Sequence, residues 1–421
     1  MSRRAVRPHA GHGAATLRLP PRPDTTGEPD WLRQRRDEAW QAFEAAELPE
    51  RKHPRWRTFD PTPFLTAEPV IPAAPAGLAQ RVAGYAVDGL PHRVVLVDGR
   101  FRPDLSNGPD GLRLLPLASD DEVPRFHLHQ TAEAADQDAA SLLNMALWQD
   151  GVLIDVQPKT AVAVHVLHLR TAPGASFDRV LVHVQDGGRL TMFQEFAGDG
   201  ASCAVTELQA HAGATIHRDL FQDAPVLHTT FSRAEGNATV RDVQVHMAPG
   251  RNTSVARVAG AGAHVELAGL YLAAGSQASD HWTRVDHAVA DGTSHELYKG
   301  VLAGSAHTSF TGSVIVRAGA QRTSAEQQNR NLLLSRKALA ESTPQLEIHA
   351  DDVKCSHGST VGRIDEDALF FLQSRGIGRD AARVMLTKAF AAEVIDMLAV
   401  TAVRQAVLAR IEEWFRDAEV A

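Results

Sequence analysis

The stretch ATVRDVQVHMAPGRNTSVARVAGAGAHVELAGLYLAAGS, residues 238 to 276, decides the fold. In ATVRDVQVHM and again in AHVELAGLYL apolar residues alternate with others, the period of a strand that shows its side chains to two faces in turn. The glycine-bearing turns PGR at 249 and AGS at 274 punctuate the run. The same texture extends both ways, from about 152 to 362, through AVAVHVLHLR, RVLVHVQ and TSFTGSVIV. Further turns fall at DGG 186, AGA 212, EGN 235, DGT 291, AGS 303 and AGA 318. In the second half they recur about every 12 to 17 residues, too close for helical crossovers between parallel strands. Such spacing suits a β-solenoid, in which each rung of short strands buries its face on the next. A β-sandwich has similar turn spacing, although well over 200 residues of strand pattern is long for one sandwich.

Outward from this core the pattern changes. Residues 1–28 mix Pro, Gly, Arg and Thr without periodicity and are expected to be a disordered tail. The segment 29–151 reads as a mixed helical and α/β region. A helix starts at the N-cap candidate Asp30, with Trp31, Ala39 or Trp40, and Phe43 at helical intervals, and ends before Pro49. HRVVLVDGRF and its neighbours read as strands with tight turns, and AEAADQDAASLLNMALWQDG as a helix closed by Gly151. The β core spans 152–362. From 363 to 421 the period becomes 3.6, with stripes through Leu369, Phe371 and Leu372, then Val384, Met385, Phe390, Val394, Ile395 and Leu398. That is a C-terminal helical domain of three or four helices.

Composition restricts the function. With 44% hydrophobic and 22% charged residues the chain is of the soluble globular type. A formal net charge of -8 and the lack of a basic stripe argue against nucleic acid as a partner. Two cysteines, Cys203 and Cys355, are too few for a disulfide framework, so a cytoplasmic, reducing setting is expected. No apolar run of signal-peptide or membrane-spanning length is present, so neither export nor membrane insertion is expected. The chain lacks GxxxxGK[ST] and GxSxG, so no nucleotide is expected to bind it directly and no nucleophile elbow exists.

Among its twenty histidines, SDHWTRVDHAV gives the best local metal case. Yet His281 and His287, six residues apart, share a strand face at about 20 Å, beyond the reach of one ion. They read as histidines lining a solenoid face. ADDVKCSHGSTVG, residues 350 to 362, differs. On a strand, Cys355 and His357 point to one face roughly 6.6 Å apart along the chain. Thiolate and imidazole are ligands used by iron, zinc and iron-sulfur clusters. The plainer reading is a cysteine packing as a small apolar residue. Asp351 and Asp352 are either oxygen ligands or a solvated turn.

These motifs carry a resemblance. Residues from about 279 to 398 resemble the SufB/SufD family of iron-sulfur cluster assembly proteins, and its SufD branch in particular. The carrying residues are HWTRVDH (281–287), SHELYKGVL (294–302), RTSAEQQNRNLLLS (322–335), PQLEIHADDVKCSHGSTVGRID (344–365) and LFFLQSRGI (369–377). Weaker agreement reaches LNMALWQDG (143–151) and ELPERKHPRWRTFDP (47–61). SufB-like chains carry a cysteine in the segment matching 328–336 and an acidic residue after the histidine. Here NRNLLLSRK has no cysteine and Gly358 follows His357. Glu296 stands where many relatives have glutamine.

The resemblance implies a right-handed parallel β-helix between an N-terminal helical region and a C-terminal helical domain. It implies a non-catalytic subunit that pairs with a SufB-like partner through the β-helix and with a SufC-like ATPase, where ATP is hydrolysed, through the helices. A homodimer is the form open to it without SufB. Cys355 and His357 would then be metal or cofactor ligands, holding iron or a transient iron-sulfur cluster at the subunit interface. The competing class is a β-helix carbohydrate-active enzyme or carbohydrate-binding protein, which would show Asp and Lys clustered on successive rungs. The sequence shows them scattered.

Overall fold

The computed structural model describes residues 21–46, 56, 59–61, 64, 77–118 and 137–417. The first twenty residues of the expected tail, most of 47–61 and the start of AEAADQD lie outside these. Among the described residues, sixteen strands run from Gly151–Val156 (β4) to Val353–Gly362 (β19). Odd-numbered strands from Ala161–Arg170 (β5) to β19 make one sheet, even-numbered strands from β4 to Leu339–Ile348 (β18) the other. Every pairing within this series is parallel, for example Val162 with Leu190 and Ala256 with Val285. A sandwich is antiparallel, so the register decides for the solenoid: eight strands per sheet, one of each per coil. Among the described residues antiparallel pairing is confined to the N-terminal end, where Arg93–Val97 (β1) meets Arg100–Phe101 (β2) and Leu112–Pro116 (β3) meets β4.

The turns explain why glycine recurs with the coil. At one corner every coil but the last places a residue in the left-handed region: Gly187 and Gly213, both at φ 66°, and Gly262, with Lys159, Asn237, Asp291 and Arg322 in the other coils. Its amide then donates to the turn one coil on: Gly187 N to Ala212 O at 3.0 Å, Gly213 N to Gly236 O at 2.9 Å. Glycine adopts this φ without the Cβ cost that other residues bear. Gly151 has another role than the helix cap expected of it. The helix is Ala139–Leu147, capped by Trp148, and Gly151 opens β4. A Cβ there would lie 2.6 Å from the Arg179 carbonyl, so the position needs glycine for close strand approach.

Along one side of the solenoid axis the interior is apolar, with Val164, Val182, Ile216, Val240 and Val265 fully buried. The helix Asp30–Ala45 packs with Ala139–Leu147 over the outer face of the even sheet. Its buried stripe is Leu32, Arg36, Ala39 and Phe43, and Pro29, not Asp30, is its N-cap. Trp31 is half-buried, because the stripe facing the core starts one residue later. Of three C-terminal helices, Arg379–Ile395 and Thr401–Asp417 lie against the odd sheet, and Glu366–Ser374 packs on Arg379–Ile395. Val394, Ile395, Val407 and Ile411 pack there with Val243, Leu270, Leu297 and Val301. The Asp219 carboxylate accepts the Ala399 and Val400 amides at 2.9 and 3.2 Å, pinning the start of the last helix to the sheet. Among the described residues no helix is long and apolar enough to cross a membrane.

Candidate functional site

The solenoid has unlike ends. At the N-terminal end short antiparallel strands and helices close it. At the other, β18 and β19 are the outermost strands of the two sheets, with no described strand beyond them. Leu339, Ile348 and Val361 on this last coil are exposed. Bare strand edges with apolar side chains form a pairing template unless something covers them.

Cys355 and His357 both lie on β19, paired with Ala325 and Gln327 of Thr323–Leu333 (β17). Strand alternation puts the two on one face, the face toward the solenoid interior, since Cys355 packs on the buried cluster of Val316, Ala320 and Ala325. Burial pushes the Cys355 thiol up from its ordinary value, so a proton stays on sulfur until a cation or charged partner displaces it. His357 is exposed and lines an open cavity of about 340 Å³ with Gln327, Asn329 and Ser359. Cys355 stands beside this cavity without lining it. Among the described residues no three of His, Cys, Asp and Glu converge as a metal cage. The pair therefore offers two ligands, and a cluster needing four would draw the rest from elsewhere. Asp351 and Asp352 are exposed turn residues; the Asp352 amide donates to Gln321 Oε1 and its carbonyl accepts from Arg322 N.

Behind the cavity the interior turns polar. Gln327 is fully buried and donates Nε2 to Glu296 Oε1 at 3.0 Å. Gln327 Oε1 and Glu296 Oε2 have no hydrogen-bond partner among the described residues. Burial pushes the Glu296 carboxyl up to about 7. Asn329 Nδ2 donates to the Tyr271 hydroxyl at 3.0 Å, which donates on to Asn331 Oδ1 at 2.6 Å. Sequence reasoning missed Gln327 and Asn329. A signal existed in SAEQQNRNLL, where polar residues occupy both alternating sets at once, a pattern that an apolar interior does not produce.

The other candidates separate cleanly. His281 and His287 are fully buried, and burial lowers them to about 3 and about 4. Each is held by a serine: Ser279 Oγ lies 3.0 Å from His281 Nε2, and Ser294 Oγ 2.8 Å from His287 Nε2. They are neutral interior histidines. Cys203 is buried against the N-terminal helices and its thiol is pushed far up by burial. The acids on inward-facing positions, Asp178, Asp242 and Glu296, are enclosed, where no polysaccharide chain can reach.

Residues 167–390 match the family described as SUF system FeS cluster assembly, SufBD core domain. The chain is similar to the iron-sulfur cluster assembly protein SufD of Escherichia coli, 30% identical over 390 residues, covering 86% of this chain and 88% of that protein. It is 28% identical over 395 residues to the SufBD family protein slr0076 of Synechocystis, covering 87% and 84% respectively. SufD of Bacillus subtilis is 26% identical over 293 residues, covering 66% and 67%. With the family match spanning the coils that carry Gln327, Cys355 and His357, the chain belongs to the SufBD family of SUF-system iron-sulfur cluster assembly proteins.

Proposed function

We propose that this chain is a non-catalytic, SufD-like subunit of an ATP-driven assembly scaffold. In this reading its open β18–β19 end pairs with a SufB-like subunit, and Cys355 and His357 supply two of the ligands for iron or a forming cluster there. The cargo is the scaffold's substrate and stays only transiently. The observation that carries the reading is the uncovered last coil. It offers two strand edges, exposed Leu339, Ile348 and Val361, and an imidazole at the mouth of a polar cavity. An imidazole suits ferrous iron, a thiolate suits iron or incoming sulfur, and a two-ligand set retains neither without a partner's ligands. The same edge would pair two copies of this chain when no SufB-like subunit is present.

His357→Ala is expected to lower cluster formation in the reconstituted complex roughly tenfold or more, while complex size on gel filtration stays the same. Cluster formation at the wild-type rate would refute the ligand role. His357 is exposed, so its loss leaves no hole in the core.

The second docking surface follows from the C-terminal helices. The last two helices cover apolar residues of the odd sheet, so removing residues 366–421 would bare that sheet and test nothing about partners. Of the apolar side chains left exposed on these helices, Phe370 and Phe371 on Glu366–Ser374 are adjacent and the most exposed, at 72% and 55%, with Met385 and Leu408 less so. A SufC-like ATPase is the occupant proposed. Phe370→Ala with Phe371→Ala is expected to weaken ATPase binding by about 2 kcal/mol per ring, measured by calorimetry, while leaving SufB pairing intact. Unchanged ATPase affinity would count against this surface.

A further inference from the structure

Behind His357 the solenoid interior carries a ladder of polar side chains that stops one rung short. Glu296 on Thr293–Leu302 (β15), Gln327 on β17 and His357 on β19 are register partners on successive odd strands, all at inward positions. Neighbouring strands lie about 4.8 Å apart, so each side chain stacks on the one a coil below. Beneath Glu296 the row continues with Leu267, which has no polar atom to extend it.

The bond between the first two rungs sets the direction of the ladder. Gln327 Nε2 donates to Glu296 Oε1 at 3.0 Å. Burial places the Glu296 carboxyl at about 7, so above that pH it is a carboxylate and only accepts. Gln327 therefore turns its amide nitrogen toward Glu296 and its carbonyl away. That carbonyl oxygen, Oε1, is buried with no hydrogen-bond partner among the described residues, on a side chain that lines the cavity at the open end. An unfilled buried acceptor costs about 1–3 kcal/mol. The facing wall supplies no side-chain donor, since Gly312 on His307–Val316 (β16) is followed one coil on by Pro344. Gly312 instead makes room for the amide: a Cβ there would stand 2.8 Å from Gln327 Cδ. Asn329 directs its Nδ2 to the Tyr271 hydroxyl and the Tyr298 carbonyl.

We propose that Gln327 is the positioning residue of His357: its Oε1 accepts an imidazole N–H, which leaves the other ring nitrogen bare and aimed into the cavity. In keeping with the ligand reading of His357, on which this rests, a ring N–H held by a carbonyl is a usual support of a metal-bound imidazole. It selects the tautomer and fixes the ring plane. Cys355 and Ser359, the inward residues on either side of His357, are register partners of Ala325 and Asn329, so His357 is the donor stacked on Gln327. Glu296 acts one step further back, by deciding which end of the amide faces the ring.

The full chain labelled with ¹⁵N-histidine is studied at about pH 8, where Glu296 is ionised. Long-range ¹H–¹⁵N spectra give the tautomer of each imidazole, and His357→Ala identifies the His357 signals. The wild type is expected to show His357 in a single tautomer with an observable ring N–H, protected from exchange although the residue is exposed. Gln327→Met keeps the volume and removes the acceptor, and Gly312→Ala pushes the amide aside. Each is expected to lose the N–H signal and to average the tautomers. In the reconstituted complex Gln327→Met should also slow cluster formation ten- to a hundredfold. Thermal melts check folding, and Gly312→Ala keeps the test valid should Gln327→Met fail to fold. An unprotected His357 N–H in the wild type, or the wild-type signal retained in the folded variants, would overturn the positioning role. Wild-type cluster formation by His357→Ala would refute the ligand reading alone, because the ring signals are recorded without metal or partner.

Discussion

Asp242→Ala is expected to destabilise the chain by about 3–5 kcal/mol, read as a lowered urea midpoint. Asp242 lies on Thr239–His246 (β11), inside the solenoid, and takes two bonds from Arg218, from Nε at 2.9 Å and Nη2 at 2.5 Å. Arg218 also donates to Gln194 Oε1 at 3.0 Å and Thr230 Oγ1 at 2.8 Å, and both charged side chains are buried. Removing the carboxylate leaves a guanidinium in the interior with its charge uncompensated. That costs far more than the pair contributes over an apolar substitute. The double variant Arg218→Met with Asp242→Leu is therefore expected to recover most of the loss. A single-variant cost under about 1 kcal/mol would show that water reaches the guanidinium.

Glu296→Gln is expected to change the pH dependence of stability in one direction. Burial raises the Glu296 carboxyl to about 7 from its ordinary 4.5, so the fold favours the protonated acid. That stabilisation is fully present below pH 4.5 and is lost as pH rises through 7, at a cost of about 3 kcal/mol once the group is ionised. An amide has no charged form to bury and can still meet Gln327 at this position. Relative to wild type, the variant should be nearly neutral at pH 4.5 and more stable above pH 7. Urea midpoints of the two proteins across this range give the difference directly, and parallel curves would show that Glu296 does not titrate there.

Much of the architecture was legible because it rests on short-range rules. The alternation in ATVRDVQVHM and AHVELAGLYL and the glycine turns place β strands where the coils have them. The switch to period 3.6 after Gly362 marks the start of the helices. Gly151 was misread because helix capping and close strand approach both call for glycine, and local sequence does not tell them apart. For the terminal coil, C-x-H placed Cys355 and His357 on one strand and one face. That Cys355 packs on apolar neighbours while His357 lines the cavity depends on what β17 and the even sheet put beside them.

By itself the sequence determined the strands, the turns, the helical C-terminus and the family, since each is carried by residues near one another in the chain or by motifs read in a line. Only the tertiary structure decided the contents of the interior and the pairing of its charges. In a solenoid the neighbours that matter lie one coil away, and the coil length varies. Arg218 meets Asp242 across 24 residues, His183 meets His211 across 28, and Glu296 meets Gln327 across 31. No fixed period indexes those contacts. The lateral backbone hydrogen bonds set the register coil by coil, and with it which side chains are stacked, buried and shifted in charge.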